Sequence, residues 1–134
     1  MLSLITRDSS IGAVYANYNI VNANTGVSQI EYKEPYSIER LMEECIVHSG
    51  SMISKTALLA AKDEYGFFDE NMRTCEDYDL WIRISEKHLL VHIPEVLTLV
   101  RVHDNNSTST VKPEIWNQNW QRIREKTQKR NNET

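Results

Sequence analysis

The 134-residue chain has only four glycines, three prolines and two cysteines. Each shortage narrows the range of functions. No Gly-rich phosphate loop, no G-x-G-x-x-G and no serine-centred nucleophile elbow is present, so a nucleotide kinase or a serine hydrolase is not expected. Cys45 and Cys75 have no metal-site spacing and make a weak case for a disulfide, so they read as reduced thiols of a cytoplasmic protein. No apolar run approaches the ~18 residues of a membrane span. The segment Met1 to Ile5 is too short, and lacks the flanks, for a signal peptide. Charge of one sign is also scarce: 15 basic against 19 acidic residues leave −4. No broad positive field favours nucleic acid or anionic lipid. The late group Arg122, Arg124, Lys126, Lys129 and Arg130 is interrupted by Glu125 and reads as a solvated helix face.

The length suits one domain that buries about two-thirds of its unfolded surface. Residues 1–8 read as one or two helical turns, in the manner of the tail of a longer helix. Gly12 to Tyr18 predicts a buried strand, Asn22 to Gly26 a turn, and Val27 to Tyr32 a short returning strand of a hairpin. Ser37 can cap a helix to about Cys45, with Ile38, Leu41, Met42 and Cys45 on one face. Val47 to Ile53 is extended, and Ser54 or Lys55 opens a helix to about Lys62. Tyr65 to Asp69 predicts a turn with two aromatic anchors. Two strands follow the central helix: Leu89 to Ile93, ending at Pro94, and Leu97 to Val102. Asp104 to Thr110 is a polar loop, and Pro113 opens a last helix to about Arg130 with Ile115, Trp116, Asn119, Trp120 and Ile123 inward.

The most informative stretch is Thr74-Cys75-Glu76-Asp77-Tyr78-Asp79-Leu80-Trp81-Ile82-Arg83. Asp77, Leu80, Trp81, Ile84 and His88 recur at spacings of three and four, so they share one helix side. Glu76, Asp79, Arg83, Glu86 and Lys87 fall mostly off it. An inward carboxylate costs several kcal/mol unless paired, hydrogen-bonded or employed. Two uses of Asp77 are open. With Thr74 as N-cap, Asp77 stands at the third helical position of a capping box, and its charge suits the helix dipole. The same position can expose a carboxylate to a cleft for chemistry. Trp81 reads as core, and Asp79 as a structural partner of Arg83 four residues on.

The order of these segments resembles the C-terminal half of the catalytic domain of family 2 glycosyltransferases, inverting enzymes of the GT-A fold. Its landmarks are Ser49-Gly50-Ser51-Met52-Ile53, Gly66-Phe67-Phe68-Asp69-Glu70, Cys75 to Arg83, and Arg101-Val102-His103. The likeness runs from Ile11 to Ser107. It implies a partial GT-A-like α/β domain, a mixed sheet flanked by helices, over residues 1–110, with residues 111–134 a C-terminal helix and frayed tail. It also implies roles. Asp77 is the catalytic base that takes the acceptor hydroxyl proton, and Glu76 helps form the acceptor side of the cleft. Ser49, Gly50 and Ser51 line the acceptor pocket. His103 helps hold the divalent metal or the donor diphosphate. Arg101 meets donor phosphates or, alternatively, a sheet-edge carboxylate. Mg²⁺ or Mn²⁺ is the implied cofactor of the parent enzyme. A nucleotide sugar and a saccharide or lipid-linked acceptor are the implied substrates.

The departure from the family is as informative. Its N-terminal βαβ half, with the uridine pocket and the metal-carrying Asp-x-Asp motif, has no counterpart here, and Asp77-Tyr78-Asp79 lies inside a helix. The expectation is a fragment with a base and part of an acceptor site, with little or no turnover, the metal being that of the parent enzyme and not required of this chain alone. It would sit in the cytoplasm, or at the inner face of a membrane through other parts or partners. The alternative is a non-catalytic assembly module of the same fold. In either case uncovered sheet edges invite a homodimer or pairing with the missing half, and nucleic acid is not an expected partner.

Overall fold

The computed structural model describes residues 1–48, 50–103 and 111–133. Two runs are buried throughout, residues 11–17 and residues 78–84. The first belongs to the central strand β1 (Ile11–Asn22). Gly12 lets the helices close on it. A Cβ there would meet His88 Cβ at 2.5 Å, Ile84 Cγ2 at 2.9 Å and Ala57 Cβ at 3.0 Å. Asn22 turns the chain by accepting from the amides of Asn24 at 2.9 Å and Thr25 at 3.1 Å, and Gly26 supplies φ of 73°. β2 (Ser28–Glu31) then returns antiparallel, with Tyr18 opposite Glu31, as the expected hairpin.

β3 (Met52–Ile53) pairs antiparallel with Ala13 and Val14, further back on β1. β4 (Leu89–Val102) runs parallel to β1 along its length, from Ile11 opposite Leu89 to Asn22 opposite Val102. The sheet is mixed, with β2 and β3 sharing one edge of β1 and β4 holding the other. The two strands expected on either side of Pro94 are one strand. The register slips there, Ala16 facing Ile93 and Asn17 facing Val96. A bulge accommodates the residue without an amide, and β4 has only β1 as a strand neighbour among the described residues.

Helices flank the sheet: α1 (Leu2–Arg7), α2 (Ile38–Glu43), α3 (Lys55–Ala61), α4 (Glu76–Ser85) and α5 (Pro113–Asn132). Ser37 caps α2 by accepting from the Arg40 amide, and Ser54 caps α3 by accepting from the Ala57 amide at 3.1 Å. Of the expected α2 face, only Leu41 is buried within the helix; Ile38 and Met42 are exposed. The core joins Tyr15, Leu41, Leu80, Trp81, Ile82, Ile84 and Ile123, each such side chain contributing about 1.5–3 kcal/mol by burial. Ile123 ties α5 into the same core as the sheet. No helix among the described residues is long and apolar enough to cross a membrane.

Three sequence expectations fail around α4. The helix is buried on every side from Tyr78 to Ile84, so its charged side is buried too. Asp79 is fully buried and Arg83 nearly so, whereas Asp77 is only half-buried. The inward carboxylate is Asp79. The basic face of α5 is likewise not simply solvated. Lys126 is buried, its Nζ 2.8 Å from Asp79 Oδ2 and 3.3 Å from Asp69 Oδ2, and Arg122 Nε lies 2.7 Å from Asp69 Oδ2. Phe68 is exposed, so the turn before α4 is anchored by buried Asp69 and not by two aromatic rings.

Candidate functional site

The N-terminus of α4 is built differently from the expected capping box. Cys75 is the N-cap, in the left-handed region at φ 63° and ψ 10°, and no side chain caps the turn from there. Thr74 is turned away: its Oγ1 and carbonyl oxygen accept from Asn119 Nδ2 at 2.9 and 3.1 Å, which fastens α5. Asp77 thereby stands at the second helical position. Its Oδ1 accepts from the Tyr78 amide at 2.8 Å, and the first turn gathers Glu76, Asp77 and Asp79 against the positive end of the helix.

Apolar and weakly polar groups surround this turn. The Tyr78 hydroxyl donates to the Leu41 carbonyl, and its ring stacks on Trp120 at 5.0 Å between centroids. Arg124 lies 4.8 Å from the Trp120 ring. Cys45 Sγ donates to the Val47 carbonyl at 3.0 Å. Burial first, and then the Asp77 charge, push the Cys45 thiol up to about 12. Burial raises Cys75 as well, with Asp77 and Glu76 adding to the shift. Both sulfurs are therefore neutral thiols near pH 7 and poor nucleophiles. Asp77, with Glu76 beside it, is the acidic side chain next to these thiols.

The segment after Cys45 is fixed by His48. Its Nδ1 accepts from the Gly50 amide at 3.1 Å and its Nε2 lies 2.9 Å from the Ala16 carbonyl. Only the neutral ring protonated on Nε2 satisfies both. Burial accordingly lowers the His48 pKa, and Lys33 adds to the fall. Gly50 is required by closeness, because a Cβ would lie 2.8 Å from His48 Cε1 and 3.1 Å from Thr98 Oγ1. Ser51 Oγ donates to the His48 carbonyl at 2.6 Å. In the sequence, the two-residue spacing from His48 to Gly50 is the available signal of this contact. Gly50 and Ser51 are thus brought together by His48, while Ser49 lies outside the described residues.

The His48 ring packs on Tyr18 at 4.4 Å, and Lys33 Nζ stands 6.0 Å from that ring. Beside it, Asn17 Oδ1 accepts from the Lys33 amide at 2.8 Å and from His92 Nε2 at 2.9 Å. Arg101 and His103 are placed at the far end of β4, both exposed. Arg101 is paired with Val21, about 10 Å along β1 from Tyr18. Magnesium and manganese take several oxygen ligands. Among the described residues no group of three or more His, Cys, Asp or Glu side chains is arranged to hold a metal ion.

A groove lies at the other side of α4, between Tyr65 and α5. Its cations are engaged: Arg122 and Lys126 both lie over the Tyr65 ring, at 4.9 and 4.8 Å, while bonded to buried carboxylates. That surface is structural in chemistry.

The fold is a mixed α/β sheet flanked by helices, with a half-buried carboxylate at the start of its central helix. Against known proteins, the chain is similar to an uncharacterized glycosyltransferase of Rickettsia typhi (strain ATCC VR-144 / Wilmington). The two are 26% identical over 104 residues, covering 72% of this chain and 32% of the relative. The chain thus spans about a third of the length of the protein it matches. No family model matches it. The relation is to a glycosyltransferase, and it is distant.

Proposed function

We propose that this chain forms the acceptor-side part of a family 2, GT-A-type glycosyltransferase. The reaction moves a sugar from a nucleotide sugar to a saccharide or lipid-linked hydroxyl with inversion, and Asp77 is the general base. One observation carries the assignment. Of the two aspartates in the first turn of α4, Asp79 is enclosed by Arg83 and Lys126, while Asp77 accepts a single amide and stays partly open beside neutral thiols. The distant glycosyltransferase relative supports the same class.

In this reading the Asp77 carboxylate takes the proton of the acceptor hydroxyl as its oxygen bonds to the anomeric carbon. The bond from that carbon to the diphosphate breaks, and the nucleoside diphosphate leaves with the electron pair. A positioned carboxylate contributes typically 10²–10⁴-fold to such a step. Glu76 borders the acceptor, and Gly50 and Ser51, shaped by His48, form the pocket wall. Arg101 and His103 are assigned to the donor side. A divalent metal, when bound, neutralises charge on the leaving diphosphate.

Amide-resolved NMR titration tests the assignment. Saccharide acceptors, and UDP- and GDP-sugars with Mn²⁺, are added separately to the chain. Shifts centred on Gly50, Ser51 and residues 75–78 with a saccharide support it; the absence of any shift there across a broad saccharide panel sinks it. The isolated chain is expected to show little or no turnover. Where transfer is measurable, Asp77→Asn lowers it about 10²–10⁴-fold, and full activity in that variant excludes Asp77 as base.

A further inference from the structure

We propose that His48 is a proton-sensitive latch on the acceptor wall: its neutral ring holds the Gly50 amide, and protonation releases Gly50 and Ser51. The use of that wall rests on the reading above, whereas the latch rests on hydrogen-bond geometry. The ring is engaged at both nitrogens. Nδ1 accepts from the Gly50 amide at 3.1 Å, and Nε2 donates to the Ala16 carbonyl at 2.9 Å. A proton added to Nδ1 turns the acceptor into a donor that faces an N–H. The bond is lost and two donors are pressed together. Turning the ring does not repair this, because an imidazolium has no acceptor on either nitrogen. Gly50 is seated directly against the ring, since a Cβ there would lie 2.8 Å from His48 Cε1 and 3.0 Å from Nδ1. Ser51 follows it, with Oγ donating to the His48 carbonyl at 2.6 Å.

His92 supplies the contrast. Both rings lie against tyrosines of β1, His48 on Tyr18 at 4.4 Å and His92 on Tyr15 at 5.1 Å. His92 Nε2 donates to Asn17 Oδ1 at 2.9 Å, and that bond survives protonation of the ring. The groups around His48 add to its sensitivity. From β1, Tyr18 brings a phenol that burial keeps neutral. After β2, Lys33 brings the charge that acts on the ring, and it opposes a second cation. Glu31 and Cys45 act on the Tyr18 phenol. From β4, Thr98 brings a neutral hydroxyl against Gly50. The residue type is informative too. A side chain that accepts from the amide two residues on is ordinarily asparagine or aspartate. Either would hold the Gly50 amide through neutral and mildly acid pH. Histidine makes the same bond conditional on pH, in a range where few other side chains change charge.

NMR of the full chain from pH 8 to pH 5, first without ligand and then with the saccharide panel used above, is the test. At pH 8 the His48 ring should carry its proton on Nε2 and leave Nδ1 bare. Below about pH 6.5 the Gly50 and Ser51 amides should shift and exchange faster, with the midpoint of the His48 ring. The closing equilibrium should lose up to about tenfold per pH unit. Saccharide affinity should fall over the same interval. His92→Gln should leave the midpoint in place. His48→Asn keeps an acceptor two residues before Gly50, so amide protection and saccharide affinity should both lose their pH dependence. An Nδ1–H ring at pH 8 overturns the inference, as do Gly50 and Ser51 amides that ignore the His48 titration. Both are read on the wild type, so they stand even where a variant fails to fold. Opening of His48→Asn in acid as in wild type, or saccharide binding that ignores the opening, overturns it too. A latch that opens on the His48 midpoint in a chain that no saccharide shifts at any pH keeps the latch and sinks the acceptor reading, so the two fail separately.

Discussion

Asp77 and Asp79 stand two residues apart on one helix and meet opposite surroundings. Asp79 belongs to a group of three carboxylates and three cations: Asp63, Asp69 and Asp79 with Arg83, Arg122 and Lys126. Arg83 completes its own valences on the carbonyls of Ala61 and Phe67. Three segments distant in sequence, residues 61–69, α4 and α5, are locked by this group. At the other end, Asp77 holds one local amide, and its neighbours are thiols and rings. The contrast separates a carboxylate that the fold has consumed from one that it has left available. Asp79→Asn should break the comparison most forcefully, because Lys126 and Arg83 then lose the charge they share. Removing one member of a buried ionic group costs about 3–5 kcal/mol, and urea unfolding of Asp79→Asn against wild type measures it.

Acid should separate the two ends by pH. At the ionic end, burial pushes the Asp69 carboxyl up, but bonds from Arg122, the Asn71 amide and Lys126 outweigh it and hold the group at about 2, below its usual 3.8. A depressed carboxylate contributes its stability in full above the unfolded value. That contribution is lost as pH falls through about 4 toward 2, and is worth roughly 2 kcal/mol for a shift of this size. Arg122→Gln should shrink this acid-sensitive part. At the Gly50 end the loss comes earlier. His48 is neutral in the fold and has a lowered pKa, so the unfolded chain binds the proton first, and stability declines as pH drops below about 6.5. Unfolding free energies measured from pH 8 to pH 2 should show both windows, with Arg122→Gln altering only the lower one.

Much of the frame was legible in the sequence because its signals are local. Ser37 and Ser54 cap where they were expected to, the Asn22 to Gly26 turn closes the hairpin, and Trp81 is core. The failures all depend on what lies across space. Periodicity could place Asp79 off the apolar side of α4, but not reveal that α5 would cover that side with Lys126. The Thr74 capping signal was outcompeted by Asn119, 45 positions later in the chain. Pro94 looked like a strand end because its missing amide ignores the possibility of a bulge on an edge. The assigned roles of Asp77, Glu76, Gly50, Ser51, Arg101 and His103 come from resemblance, and the saccharide titration is their test.

The smallest expected effect sharpens the comparison most. Asp77→Asn keeps an oxygen that can accept from the Tyr78 amide and removes one negative charge from the start of α4. The helix loses a dipole interaction of about 0.3–1 kcal/mol. Asp77→Asn should therefore unfold within about 1 kcal/mol of wild type, with the same denaturant slope. The Cys45 and Cys75 thiols should react faster with a disulfide reagent at pH 8, since their pKa values fall toward the ordinary thiol range. Equal destabilisation by Asp77→Asn and Asp79→Asn would mean that Asp77 serves the fold as fully as Asp79 does, and that its carboxylate is not held in reserve for chemistry.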